Sequence, residues 1–342
     1  MFRRILVPLD GSPEAEDAIP FAGMLTRASG GTVLLLCLAR AAQPEVAIRG
    51  QADGEPYFKA LEQRRTLPAP VEYGVGKGGE ALAVTAAARE WRADLIVLRC
   101  GRRTNQHWRF TEDVATDIMR QSPVPVLLLR AGDWASVPAE GGMRTFCPGA
   151  LRFLVPLDGS ELAESAIRPA LHLMAALAGA STCVLHLVRV VAVDSRWRMA
   201  AQYLDEVATH VRRESAAICH NLEVTWSVIA HVDAAEALER LAEVGEDVAA
   251  RESWSVARDV VPVSPSTEAT GQSSSEFGAC DFLVMTTHGR SGLSRWALGS
   301  TAEGVLARTG LPILLVRARS GEARREDDDL AVERWRTRPL PC

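Results

Sequence analysis

Residues 3–12 read Arg-Arg-Ile-Leu-Val-Pro-Leu-Asp-Gly-Ser, and residues 151–160 read Leu-Arg-Phe-Leu-Val-Pro-Leu-Asp-Gly-Ser; eight of the ten positions match or nearly match at a spacing of 148. Self-similarity at a fixed offset marks a duplicated unit. In each copy an apolar run with the pattern of a buried strand ends at Asp10 or Asp158. Gly11 or Gly159 then turns the chain, and Ser12 or Ser160 stands where a helix N-cap belongs. Pro13, at the first helical position of copy one, fits the same reading.

From this anchor the order continues alike in both copies. A second apolar run covers 32–39 or 182–191, and a helical stretch leads to a third strand near 71–75 or 224–230. Another helix precedes a fourth strand, 94–98 or 281–287, and a last helix precedes a fifth, 124–130 or 311–317. Strands apolar throughout and separated by helices imply a parallel sheet covered on both faces. The expected fold class is therefore α/β, with two tandem doubly wound parallel five-stranded sheets of Rossmann-like or flavodoxin-like type. The expected domains are 1–131, a linker 132–150 rich in Gly and Pro, a second domain 151–318, and a flexible tail 319–342. Within the second domain, 251–278 carries Ser-rich and Pro-containing sequence without an apolar period and reads as an exposed insertion.

Composition narrows the function classes. At 342 residues the chain is long for one core, and its 47% hydrophobic and 24% charged content is ordinary for a globular protein. A net charge of −5 offers no electrostatic footprint for nucleic acid. No run approaches the length of a spanning helix, and Met1-Phe2-Arg3-Arg4 leads directly into a strand rather than a cleavable signal. The expectation is a cytoplasmic protein that engages neither membrane nor nucleic acid. The seven cysteines contain no C-x-x-C pair, and Cys37, Cys100, Cys183 and Cys280, in or beside strand-like runs, read as buried reduced thiols.

The chemistry is expected in copy two, at residues 285–303. An apolar run ending at Met285 gives way to a loop with His288, Gly289, Arg290 and Arg295, and a helix starts near Gly299-Ser300. The first N–H groups of a helix lack intrahelical partners and carry the positive end of its dipole, which suits an anion. Ser300-Thr301-Ala302-Glu303 is also a capping box, so Ser300 and Glu303 can equally be read as satisfying their own helix end. Asp158 can be a ligand residue at a strand's carboxyl end or the first residue of an Asp-Gly turn. His186, in an apolar strand, reads as a satisfied core residue. Gly74-x-Gly76-x-x-Gly79 matches a dinucleotide fingerprint, but it follows the third strand, and a loose turn is the better reading. No Walker-type loop, nucleophile–base pair or metal cluster is visible, so fast catalysis is not indicated.

These residues resemble the universal stress protein family. Val155-Pro156-Leu157-Asp158-Gly159-Ser160 is similar to its first strand and turn, and 286–300 is similar to its nucleotide loop, G-x-x-G, nine residues, then G-[S/T]. Thr286 stands where the first glycine usually is; Gly289, Arg290–Leu298 and Gly299-Ser300 supply the rest. The resemblance implies ATP, with Mg²⁺ as an accompanying ion, across the carboxyl ends of the strands. It places Pro156, Leu157 and Asp158 by the adenosine and Leu187 as an adenine wall. Met285 and Thr286 would lie beneath the ribose and phosphates, with His288 and Arg290 beside them, and Gly289, Gly299, Ser300 and Thr301 would hold the phosphates. Copy one has Glu112-Asp113 where Gly-Ser is expected and one added loop residue, so its loop is not expected to bind ATP. The fifth strands, 124–130 and 311–317, are expected to pair as an internal pseudo-dimer, with a homodimer and an unknown protein partner as further possibilities. The implied role is a nucleotide-holding stress-response or signalling module; the alternatives are a scaffold with vestigial sites and a slow ATP hydrolase.

Overall fold

The computed structural model of the chain describes residues 2–38, 55–65, 67, 70–76, 79–100, 112–130, 150–179, 181–192, 197–215, 217–219, 221–245, 255–258, 279–287 and 298–317. Copy one contributes β1 (Arg4–Leu9), α1 (Pro13–Glu16), α2 (Ala18–Ser29), β2 (Thr32–Leu38), α3 (Glu55–Arg64), β3 (Val71–Gly76), α4 (Glu80–Glu90), β4 (Leu95–Cys100), α5 (Glu112–Gln121) and β5 (Val126–Arg130). Copy two contributes β6 (Ala150–Pro156), α6 (Glu161–Glu164), α7 (Ile167–Ala178), β7 (Thr182–Val191), α8 (Trp197–Ser215), β8 (Leu222–Ala230), α9 (Ala234–Val244), β9 (Ser255–Arg258), β10 (Phe282–Thr286), α10 (Ser300–Arg308) and β11 (Ile313–Val316).

The strand–turn–helix anchor forms identically in both copies. Asp10 and Asp158 each accept the backbone N–H of the serine two residues on, both at 2.9 Å. Gly11 and Gly159 take φ of +85° and +89°, a left-handed conformation that a side chain would strain. Ser12 and Ser160 then cap α1 and α6 by accepting from Ala15 N and Ala163 N, both at 3.2 Å. At the opposite end of the sheet, Asp94 accepts from Arg3 N, as Asp281 accepts from Arg152 N. Each ties the start of a fourth strand to the first.

Within each copy the pairings of β1–β5, and of β6, β7, β8, β10 and β11, are parallel. Right-handed crossovers put α1–α3 and α6–α8 on one face and α4, α5, α9 and α10 on the other. The two five-stranded sheets are continuous through their fifth strands, the pairing expected of 124–130 and 311–317. Among the described residues eleven strands form one sheet in the order β3-β2-β1-β4-β5-β11-β10-β6-β7-β8-β9. The join is antiparallel, Leu128 opposite Ile313, Leu127 opposite Leu314 and Val126 opposite Leu315. All six are buried, so the seam removes two apolar edges from water.

The seam is pinned by a pseudo-twofold exchange. Arg130 of β5 donates to Leu306 O near the C-terminal end of α10, and Arg317, just after β11, donates to Ser122 O beyond α5 at 3.2 Å. A guanidinium at a helix C-terminus meets carbonyls that lack intrahelical donors. Phe21 of α2 approaches Phe282 of β10 at 6.2 Å, carrying packing across the copies, and Phe282 in turn stacks obliquely on Phe153 at 4.8 Å.

One difference from the sequence reading lies in 251–278. Residues 255–258 form β9, antiparallel to β8, with Ala230 opposite Ser255 and Ser227 opposite Arg258. The free edge of β8 supplies unpaired backbone groups, and that pairing needs no apolar periodicity in the added segment. Among the described residues no helix is long and apolar enough to cross a membrane.

Candidate functional site

In copy two the strand order reverses between β6 and β10: β7 and β8 lie on one side, β11 on the other. Crossover helices leave from opposite faces at this point, so a crevice opens at the carboxyl ends of the strands. A cleft of about 220 Å³ lies there, lined by Pro156, Leu157 and Asp158 after β6, Met285, Thr286 and Thr287 at the end of β10, and residues 299–302 at the start of α10. Its floor and far wall are apolar, with Val188 and Val190 of β7 and Ala234 and Leu238 of α9.

Eight of the expected site residues, Pro156, Leu157, Asp158, Met285, Thr286, Gly299, Ser300 and Thr301, meet in this one cleft. Leu187 does not line it. Side chains alternate across a strand, and Leu187 is fully buried toward the other face while Val188 and Val190 point to the cleft. The period-2 alternation along β7 could have supplied that assignment. His288, Gly289 and Arg290 lie outside the described residues, as does the corresponding loop of copy one, 101–111. Ala234 and Leu238 had no motif to mark them; their position follows from the crossover that puts α9 against β7.

The capping-box reading of 300–303 is not realised. Gly299 is the N-cap residue with φ −66°, α10 begins at Ser300, and no side chain caps it. Glu303 instead reaches across the seam to Arg120 at 2.7 Å. Gly299 N donates to Thr287 O at 2.8 Å and so fixes the helix start against the end of β10. Neighbouring helices are finished differently: Asp233 caps α9 by accepting from Ala235 N and Glu236 N. The first-turn N–H groups of α10 therefore line the cleft with no side-chain acceptor among the described residues, in a region of positive helix potential.

Asp158 is the one carboxylate among the lining residues, and one of its oxygens is engaged with Ser160. Behind the turn, on the other face, Tyr203 donates to Glu164 at 2.8 Å, and the Arg189 guanidinium lies 5.2 Å over the Tyr203 ring and against Gly159. Burial is the main cause that pushes the Glu164 carboxyl up, opposed by the Tyr203 hydroxyl. His186 sits one strand layer inward, with Nδ1 2.8 Å from Thr225 Oγ1 and Nε2 2.8 Å from Ser227 Oγ. Burial depresses it to about 3, so it is a neutral, hydrogen-bonded core residue. Among the described residues no group of three or more His, Cys, Asp or Glu is placed to hold a metal ion. The arrangement can bind an anion joined to an apolar moiety; among the described residues it presents no nucleophile with a base beside it.

A doubly wound parallel sheet with helices on both faces defines a class of α/β proteins, and this chain carries the unit twice. The model of the universal stress protein family matches residues 1–130 and 150–317, and the chain belongs to that family. A universal stress protein from Archaeoglobus fulgidus DSM 4304 has a similar fold, with TM-score 0.51 and 16% identity over 92% of this chain and 96% of that one. A functionally unknown protein from Pseudomonas aeruginosa PAO1 does likewise, with TM-score 0.52 and 15% identity over 93% of each chain. A comparison with curated proteins finds no match.

Proposed function

We propose that the second domain binds an adenine nucleotide, ATP, in the cleft between β6, β7 and β10, and that the chain acts as a nucleotide-responsive stress or signalling module. The observation that carries this reading is the pairing of an apolar pocket with the uncapped start of α10. Val188, Val190, Ala234 and Leu238 suit the flat face of a base. The N–H groups at 300–302 suit phosphate oxygens, and Ser300 and Thr301 add hydroxyl donors. A volume of about 220 Å³ is below the roughly 300–1,000 Å³ usual for a whole ligand, so the base and ribose would enter while the phosphates lie over α10. With Asp158 as the lone lining carboxylate, Mg²⁺ would arrive on the phosphates rather than in a protein cage. The resemblance of 286–300 to the family's nucleotide loop supports the same ligand and adds His288, Gly289 and Arg290 as phosphate neighbours, with the cytoplasm as the site of action.

The test is calorimetry with ATP on the full chain and on Gly299→Asp. One nucleotide per wild-type chain is expected, and none for the variant, because a carboxylate would stand at the phosphate position. The backbone tolerates the change: φ is −66°, and among the described residues a Cβ would meet Thr287 O at 3.4 Å, an ordinary contact. Unaltered affinity in the variant, or two nucleotides per chain, would sink the reading.

A further inference from the structure

The seam between the copies is close to symmetric, and one contact on it breaks the symmetry. The twofold that exchanges the Leu128–Ile313 pair with the Val126–Leu315 pair carries Arg130 onto Arg317, whose bonds to helix-end carbonyls answer one another. The same operation carries Arg120 onto Ala307 and Glu303 onto Thr116, and those two cannot form an ion pair. Yet Arg120 Nη2 meets Glu303 Oε1 at 2.7 Å across the seam. Asp117, one turn back on α5, stands 4.0 Å from Arg120 Nη1 and leaves Nη2 to Glu303. The side chains are 35% and 47% exposed, so the pair adds little stability to a seam already closed by buried strand residues. Its place on α10 matters more. Glu303 belongs to Ser300-Thr301-Ala302-Glu303, a sequence in which the glutamate tends to turn back and accept the N–H of Ser300. In that arrangement the carboxylate would cover a first-turn donor and set a negative charge at the helix end that faces the cleft. With Glu303 held on Arg120, its backbone N–H bonds Gly299 O at 2.9 Å, α10 starts at Ser300, and residues 299–302 line the cleft.

We propose that Arg120, a residue of copy one, is a positioning residue for the anion end of the copy-two cleft: by holding Glu303 across the seam it keeps the first-turn N–H groups of α10 open to the phosphates. The proposal rests on the nucleotide reading of the cleft and adds a regulator to it. Glu303 has two partners to choose between, the guanidinium on α5 and the N–H groups of its own helix. A phosphate binds in the chains where it has taken the first, so apparent affinity follows that fraction. Copy one thus acts on the site of copy two without holding a ligand itself. A change at the seam that draws α5 away from α10 releases Glu303 onto its helix and weakens binding, which makes the join between the copies the control element of the cleft.

The experiment is calorimetry with ATP on the full chain and on Arg120→Ala, Glu303→Ala and the double variant, with a denaturant titration of each. Arg120→Ala should bind about threefold more weakly, through the share of chains in which Glu303 has turned back. Glu303→Ala should bind at least as tightly as wild type. The double variant should match Glu303→Ala, because the loss requires the glutamate. A double variant as weak as Arg120→Ala would mean that the guanidinium acts on the phosphates directly, and unchanged affinity in Arg120→Ala would mean that it does not act on the site; either overturns the proposal. Unfolding midpoints should stay close to wild type in all three, and a loss of affinity that tracks a loss of folding would also overturn it. A second readout needs no nucleotide. In ligand-free Arg120→Ala the amide proton resonance of Ser300 should move downfield as the carboxylate accepts it, and it should return in the double variant. Absence of that shift overturns the proposal whether or not ATP binds. The shift in a chain whose wild type binds no ATP would instead retire the nucleotide assignment and leave the Glu303 switch in place.

Discussion

The carboxyl ends of the two copies start from the same strand, turn and cap, yet they are finished in opposite ways. In copy two the register pairs Pro156 with Val188, and Val188 and Val190 face an open cleft. In copy one the equivalent pairing is Pro8 with Leu36, and Leu36 and Leu38 are buried over Gly74 and Gly76 of β3. A Cβ on Gly76 would come 2.8 Å from Leu38 Cδ2 and 3.0 Å from Ala83 Cβ, so that glycine serves packing. At the end of the fourth strand, Thr286 of copy two has Arg99 as its counterpart. Arg99 is 8% exposed and pairs with Asp17 at 3.2 Å. Below it the buried Glu16 accepts from Tyr57, from Arg64 at 2.7 Å and from Arg65 at 3.0 Å. One copy uses its carboxyl end for packing and ion pairs; the other leaves it concave. Among the described residues, the duplicated fold is open at this end where small residues leave room for a cleft.

The largest effect should come from the filled end. Glu16→Ala leaves Arg64, Arg65 and Tyr57 without their shared acceptor. It should lower the unfolding free energy of copy one by about 3 kcal/mol, at the lower limit for breaking a buried pair because Arg64 and Arg65 keep solvent access. Glu164→Ala in copy two removes the Tyr203 contact and should cost less, about 1 kcal/mol. Denaturant titration of both variants checks the order. Equal losses would mean that the two ends are not built differently.

A second, smaller effect separates the copies by pH. His186 occupies the strand position that Leu34 holds in copy one, by their pairing with Leu154 and Leu6. Its folded value of about 3 lies below the 6.5 of an unfolded histidine. Above pH 6.5 neither state takes the proton; between 6.5 and 3 the unfolded state binds it and the folded state does not. Stability therefore falls as the pH drops, by about 1.4 kcal/mol per unit, or about 2 kcal/mol at pH 5. The slope should flatten in His186→Leu, read as the difference between variant and wild-type unfolding curves at pH 7 and 5. His172, depressed to about 4 chiefly by burial, adds a similar trend that the subtraction removes.

The fold was legible because the repeat, the Asp-Gly-Ser turn and the unbroken apolar strands are local signals, each set by backbone geometry. The fifth strands' edge-to-edge pairing was also open to inference, since Val126–Leu128 and Ile313–Leu315 could not remain apolar edges. β9 was hidden: a strand added to a free edge borrows its partner's hydrogen bonds and needs no pattern of its own. At the cleft, the residues of β6, β10 and α10 that motif spacing named come together in one lining. Leu187 lies outside the cleft lining, because the resemblance located the strand but not its side-chain parity. Val188, Val190, Ala234 and Leu238 are ordinary apolar residues, and only the crossover geometry makes them a wall. The capping box misled for a related reason, because Arg120, distant in sequence, takes Glu303 away from its own helix.

The finest distinction between the copies is one methylene on β7, and it can be moved. Val190→Leu gives copy two the side chain that Leu38 has in copy one. Leu38 lies opposite a glycine, whereas Val190 pairs with Ile229, so the added group has no glycine to lie over and must project toward Leu238 and the cleft. A methylene that intrudes on a fitted apolar pocket is worth about 1–3 kcal/mol of binding, so ATP affinity should fall roughly tenfold. Val190→Ala removes bulk instead and should weaken binding by less, through lost contact rather than a clash. Calorimetry on the pair gives the sign: a larger loss for Leu than for Ala places the base against β7. Equal affinities would put the base elsewhere, and the contrast between leucine-filled and valine-lined ends would then concern packing alone.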